Sequence, residues 1–256
     1  MMQTMAGAEG SVQVGINIEN PLKERMQKQA AENMRIFGTP QPQTFVSQRT
    51  EAGDLLIMRA HQTAKAAMKA VKPELQIGIT LSLHDIQAQP GGEIDAAKEW
   101  SEEFSHYIPF IRDDDFFGLQ NYTRTLIGPG GSLPVSEGVP ITQMGYEFYP
   151  KALGNVIRKV HQSLSIPILV TENGVATGDD LRRIEFIGEA LEGLEDCLDD
   201  GIPVIGYCYW SLLDNFEWQK GYSMTFGLIA VDRETQKRYP KPSLAALGKY
   251  AKEITL

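Results

Sequence analysis

Apolar residues recur every four positions in residues 21–37 (PLKERMQKQAAENMRIF), where Leu22, Met26, Ala30 and Met34 form one stripe with charges between them. That spacing predicts an amphipathic helix with Pro21 in its first turn, where a missing N–H costs nothing. The polar stretch 38–44 (GTPQPQT) reads as a loop. Residues 51–70, rich in Ala, Leu, Met and Lys, predict a long helix, with Pro73 just past its end. Gln76–Leu83 (QIGITLSL) alternates and is β-branched, so it predicts a strand. A helix over 93–109 follows Gly91 and Gly92, and Asp115–Tyr122 (DFFGLQNY) predicts a second strand. Residues 128–140 are a Gly/Pro-rich loop, and 150–164 a helix with Leu153, Val156, Val160 and Leu164 on one face. Ile166–Thr171 (IPILVT) is a near-continuous apolar run, as in a strand buried on both faces. A long acidic helix over 179–200, a fourth strand over Val204–Trp210 and a last helix from about Pro242 to Lys252 complete the chain.

From residue 51 the order is helix and strand in strict alternation, with four strands. Such alternation implies a parallel sheet with crossover helices. Four strands suit either an open sheet or part of a (β/α)8 barrel, and periodicity does not separate the two. Both place ligands at the C-terminal ends of the strands.

Composition narrows the function classes. The 256 residues include 24 Lys plus Arg against 33 Asp plus Glu, a formal charge of -9. That balance argues against nucleic-acid and anionic-membrane partners, which need clustered cationic charge. No apolar run approaches a membrane span, and MMQTMAGAEGS lacks the basic and apolar regions of a secretory signal, so a cytoplasmic location is expected. Cys197, on a helix, and Cys208, in a buried strand, read as packed thiols. The four histidines form no metal-ligating spacing, no phosphate-binding glycine loop is present, and no cofactor or metal is expected. His61, His106 and His161 fall on helices or a helix end; His84 alone falls at a strand end.

The strand ends carry the candidate chemistry: Ser82, His84 and Asp85 after the first, Gln120 to Thr123 at the second, Thr171-Glu172-Asn173-Gly174 at the third, and Trp210-Ser211 running to Trp218 at the fourth. A carboxylate directly after a buried apolar strand is costly unless paired or used, which singles out Glu172. From pattern alone it is either a catalytic carboxylate or a helix-cap or turn residue. Trp210 and Trp218 flank Glu217. Such a group suits a sugar, whose C–H face stacks on an indole while its hydroxyls bond a carboxylate; the alternative is aromatic core packing.

At this point the residues resemble a known family. Thr171-Glu172-Asn173-Gly174 is similar to the nucleophile motif of family 1 glycoside hydrolases, the β-glucosidase family. Gly206-Tyr207, then Trp210 through Trp218 (WSLLDNFEW), Gly221-Tyr222-Ser223 and Phe226-Gly227-Leu228 resemble its last-strand signature, and Met144-Gly145-Tyr146-Glu147 with Tyr149-Pro150 the segment before its seventh barrel helix. The resemblance covers about residues 51–256; residues 1–50 are a divergent helical segment. It implies a (β/α)8 TIM-barrel fold and retaining hydrolysis of β-glucosides. It also implies Glu172 as nucleophile, Tyr122 as the residue orienting it, and Gln120, Trp210, Glu217, Trp218 and Phe226 as sugar-binding. The family usually carries Asn where Gln120 stands, and the extra methylene would shift that amide by about one bond length.

Retaining chemistry needs a second carboxylate as acid and base. In the family this is the Glu of an Asn-Glu-Pro motif ending the fourth strand, and no such motif occurs here. Ile18-Glu19-Asn20-Pro21 inverts its order and precedes a helix, so Glu19 reads as a helix-start carboxylate. The four strands correspond to strands five to eight, so the chain is similar to the C-terminal half of a family member, a single partial-barrel domain. A half barrel leaves two sheet edges and its inner face open, so a homodimer or a complementing N-terminal half is expected. The alternative function is a truncated or degenerate carbohydrate-binding half barrel without turnover.

Overall fold

The computed structural model describes residues 6–7, 11–12, 20–42 and 50–253. Glu19 lies outside them. The chain divides into two compact units, Met1–Arg59 and Ala60–Leu256. In the first, β1 (Ala6–Gly7) pairs antiparallel with β2 (Ser11–Val12), and α1 (Asn20–Phe37) forms where the four-residue apolar spacing predicts it. Met34, Ile36 and Phe37 at its end are exposed. The predicted helix over 51–70 is α2 (Glu51–Val71), which runs from the first unit into the second.

The second unit continues with β3 (Thr80–Ser82), β4 (Asp85–Ala88), α3 (Glu93–Glu103), α4 (Ile108–Ile111), β5 (Phe117–Asn121), β6 (Arg124–Gly128), β7 (Gly131–Ser132), α5 (Ala152–His161), β8 (Ile168–Asn173), α6 (Asp180–Asp199), β9 (Val204–Tyr209), β10 (Ile229–Val231), β11 (Arg238–Pro240) and α7 (Pro242–Glu253). Its frame is a parallel sheet in the order β3-β5-β8-β9. Each strand leads through a helical crossover to the next, which is four consecutive units of a (β/α)8 barrel. A smaller sheet, β4-β6-β7, extends beyond the ends of β3 and β5, and β10 pairs with β11.

All four predicted strands form, with shorter or shifted bounds. The predicted Gln76–Leu83 contracts to β3. The carbonyls of Ile77 and Ile79 still accept from Asp115 and Gly118, but these bonds lie outside the regular ladder. The predicted helix over 93–109 stops at Glu103, and Pro109, which has no N–H to give, falls in the first turn of α4. β4 and β6 lie where the sequence pattern predicts no element, and β7 lies within the predicted Gly/Pro-rich loop 128–140.

The outer face of the sheet packs against the helices. Phe117, Leu119, Ile168 and Val170 are buried there, under Leu153, Val156, Ile157 and Val160 of α5 and Phe186, Ile187 and Leu194 of α6. The α5 stripe is the one its spacing predicts. α5 and α6 cross closely at Gly154, where an added Cβ would lie 2.7 Å from the Gly193 carbonyl oxygen. Phe104 stands edge-on to Phe117 at 5.4 Å between ring centroids, which seats the end of α3 on β5.

Two burial expectations need correction, and one geometric fact explains both. The run 166–171 is not buried on both faces: Leu169 and Thr171 are only half-buried. Cys208 is exposed rather than packed, and Ile205 beside it is 58% exposed. β9 is an edge strand, and among the described residues no second layer covers the inner face of the half barrel.

Candidate functional site

The polar residues at the strand ends converge on Glu172. Its Oε1 accepts from Gln120 Nε2 at 2.9 Å and its Oε2 from the Tyr122 hydroxyl at 2.5 Å. Gln120 therefore reaches Glu172 despite its extra methylene. Tyr122 packs edge-on against Phe226, with centroids 6.0 Å apart, and Phe226 is buried. Tyr209 donates to the Phe226 carbonyl at 3.2 Å, and burial, its largest influence, pushes that phenol up to about 12.

The inward aim of Glu172 depends on a β-bulge. Leu119 pairs with Val170, but Gln120 pairs with Glu172, so Thr171 has no partner of its own on β5. Strict alternation from Val170 would send Thr171 inward and Glu172 toward the helices. The extra residue sends both inward: Thr171 Oγ1 meets Thr80 Oγ1 at 2.6 Å, and Glu172 meets Gln120. Asn173 then takes the buried, helix-facing position.

Trp210 and Glu217 are joined directly, the indole Nε1 donating to Glu217 Oε1 at 3.2 Å. Glu217 sits on a tight turn in which its N–H donates to the Gly221 carbonyl at 2.8 Å and its own carbonyl accepts from Gly221 N. Gly221 has φ 60°, a backbone state that favours glycine. Trp218 lies beside Phe216, which also meets Tyr222 edge-on, and at 72% exposure it stands at the rim. Gly174 fits because it lacks a side chain: a Cβ there would lie 1.9 Å from the Trp210 carbonyl oxygen. The Trp210–Ser211 peptide is cis.

Burial, the largest influence on Glu172, raises its carboxyl above the ordinary range; the Tyr122 hydrogen bond opposes this and the charge of Glu217 adds to it. Burial and the Glu172 charge raise the Tyr122 phenol, which therefore stays a donor. Tyr146 is raised by burial and by Glu217, which places a third phenol within electrostatic reach of the site. Glu147 has a structural part, accepting two bonds from Arg124 at 2.9 and 2.8 Å, while the Arg124 guanidinium also lies over the Tyr149 ring.

Sequence reasoning missed three features. Tyr207 and the Asn121–Asn173 pair brace the strand ends from behind. His84 Nδ1 meets Glu103 Oε1 at 2.7 Å, and its N–H donates to Glu103 Oε2 at 2.9 Å. Burial is the largest influence on His84 and lowers its pKa, yet the charge and hydrogen bond of Glu103, joined by the charge of Glu99, together outweigh it and the net shift is upward. No residue pattern could show Glu103 as a partner, because it reaches His84 from α3. Among the described residues no group of three or more His, Cys, Asp or Glu is placed to hold a metal, and no helix is long and apolar enough to cross a membrane.

A parallel sheet with helical crossovers and a side-chain cluster at its strand ends is the architecture of half a (β/α)8 barrel, and known proteins agree. A sequence profile of glycosyl hydrolase family 1 matches residues 115–255. The chain is 30% identical over 237 residues to a β-galactosidase of Sulfolobus acidocaldarius, covering 79% of this chain and 48% of the relative. A β-glucosidase of Agrobacterium sp. is 30% identical over 234 residues, covering 72% of this chain and 51% of the relative. The crystal structure of β-glycosidase BGL167 superposes with a TM-score of 0.82 at 43% identity, over 94% of this chain and 58% of that one. The chain belongs to glycosyl hydrolase family 1 and spans about half the length of these curated relatives.

Proposed function

We propose that this chain supplies the nucleophile and sugar-binding half of a retaining β-glycosidase site acting on β-linked glucosides. The observation that carries the reading is Glu172, held at the sheet's C-terminal end by one amide and one phenol. A carboxylate so bonded on both oxygens is oriented for attack, and the bonds favour its charged form. Glu172 would attack the anomeric carbon, the aglycone oxygen would leave with its bonding electrons, and water would later hydrolyse the glycosyl-enzyme. Glu217 and Trp210 fit a pair of sugar hydroxyls, and Phe226 and Trp218 the apolar walls. Gln120 and Tyr122 would then hold the nucleophile rather than the sugar alone.

The proton for the leaving group has to come from a second carboxylate, and the family's Asn-Glu-Pro motif is absent from this sequence. The second reading is a sugar-binding half barrel without turnover. Among the described residues no strand pairs with the outer edges of β3 and β9 and nothing covers the inner face, which supports pairing with a complementing N-terminal half or with a second copy. A sharp monomer boundary in sedimentation at micromolar concentration counts against self-pairing.

2,4-Dinitrophenyl β-glucoside separates the two functional readings, because its leaving group departs without protonation. Stoichiometric release of dinitrophenol that vanishes in Glu172→Gln supports the nucleophile. Release that is equal in Glu172→Gln, or absent while glucose still binds, overturns the enzyme reading for this chain.

A further inference from the structure

Behind the inward-facing site residues runs a row of hydrogen bonds that crosses the whole sheet. Asn121 Nδ2 donates to the Leu83 carbonyl at 2.9 Å and to the Thr123 carbonyl at 3.2 Å. Asn173 Nδ2 donates to the Asn121 carbonyl at 2.8 Å, and Asn173 Oδ1 accepts from the Tyr207 hydroxyl at 3.0 Å. The row links the ends of β3, β5, β8 and β9. Asn121 and Asn173 are fully buried, and burial holds the Tyr207 phenol well above its usual range, so it remains a donor.

This row coincides with the bulge. Two residues of β8, Thr171 and Glu172, lie between its pairings Val170↔Tyr207 and Asn173↔Tyr209 with β9. A strand can shed an extra residue by slipping one place, and here a slip would return Glu172 to the helix-facing side. The slip would also bury Glu172 without its donors and move the Asn173 amide away from both Asn121 and Tyr207. Leaving such groups unpaired in the interior is costly. The amide has one donor bond on the β5 side and one acceptor bond on the β9 side, so it holds the register from both neighbours at once.

We propose that Asn173 is a positioning residue: its buried amide, clamped between Asn121 and Tyr207, locks the Thr171 bulge and so keeps Glu172 aimed at Gln120 and Tyr122. This deepens the proposed function and rests on Glu172 as the acting carboxylate, but the clamp can be read without turnover.

The test is a cycle on the Glu172 titration, followed by carboxyl 13C NMR and assigned by its loss in Glu172→Gln. In the otherwise unaltered chain, Tyr122→Phe raises the Glu172 midpoint, because the phenol's bond favours the charged form. In an Asn173→Ala background the same Tyr122→Phe change is expected to leave the midpoint where it was, since Glu172 no longer meets the phenol. An undiminished Tyr122→Phe increment in Asn173→Ala overturns the proposal. Trapping by 2,4-dinitrophenyl 2-deoxy-2-fluoro-β-glucoside gives a second readout, in which the Glu172 carboxylate bonds to the anomeric carbon as dinitrophenolate leaves. Asn173→Ala is expected to slow trapping at least tenfold, while Val156→Ala, a core truncation in α5, traps at the original rate below its melting temperature. Equal slowing in both shows a merely structural role and also overturns the proposal. Where Asn173→Ala does not fold, Tyr207→Phe deletes a single hydroxyl from the clamp and is expected to shrink the Tyr122→Phe increment; an unchanged increment again decides against it. Failure of the unaltered chain to be trapped counts against Glu172 as nucleophile and leaves the titration cycle to decide on Asn173.

Discussion

Replacing Arg183 with Met removes a buried cation that ties the start of α6 to two loops of the site. Arg183 is 1% exposed. One guanidinium nitrogen is bonded to Asp180, and the other donates to the Thr177 and Thr225 carbonyls at 2.6 Å each. Those carbonyls keep one partner apiece after the change, because Thr225 Oγ1 still donates to Thr177 O and Thr177 N to Thr225 O. The dominant loss is the ion pair. Breaking a buried pair by removing one partner costs about 3–5 kcal/mol. The Asp180 side chain is 20% exposed and keeps two bonds from Ser243, so the lower end, about 3 kcal/mol, applies. For a domain of this size that is a fall in Tm of about 6–12 °C. The pH dependence has a definite sign. Burial opposes ionisation of Asp180, but bonds from Ser243 and then Arg183 prevail, and its carboxyl is held below the ordinary range. The contribution is therefore complete above the unfolded value near 4 and is lost as pH falls through the lower folded one. Thermal unfolding followed by circular dichroism should show the Arg183→Met gap at pH near 7 and a narrowing gap as Asp180 protonates. A Tm within about 2 °C of the original, or a gap insensitive to pH, would refute the reasoning.

Gly174→Ala should be far more damaging than most glycine-to-alanine changes, since its Cβ would overlap a backbone oxygen that no rotamer change can move. A loss of about 1–3 kcal/mol is expected from the overpacking, checked by urea unfolding, together with loss of covalent trapping. Glu103→Gln should lower the His84 titration midpoint measured by NMR, because Glu103, ahead of Glu99, is the main group that lifts it against burial. Since the folded pKa of His84 is raised, the pair's stabilisation is complete below the unfolded value of about 6.5 and lost as pH rises through the folded one. Glu103→Gln should therefore cost more stability at about pH 6 than at about pH 9, and a cost that grows with pH would contradict the pairing.

Local pattern determined a great deal on its own. Alternating helices and strands imply a parallel sheet, and the α5 stripe of Leu153, Val156 and Val160 follows from helical period alone, because side-chain direction repeats with backbone geometry. Glu172 stands out for the same local reason, as a charge directly after an apolar strand. The stretch WSLLDNFEW adds a family signature, and the pairing of Trp210 with Glu217 is nearly local because a tight turn at Gly221 returns the chain.

What only the tertiary structure decided is non-local. Period two would have turned Glu172 toward the helices, and nothing in Thr171-Glu172-Asn173 marks an unpaired residue. In the bulged register Glu172 meets Gln120, and Asn173 meets Asn121 and Tyr207, all distant in sequence. His84 owes its raised pKa to carboxylates on α3, and Cys208 its exposure to lying on an edge strand whose inner face no described residue covers. Burial and pairing depend on which elements end up adjacent, and that adjacency is set by the whole sheet rather than by any one segment.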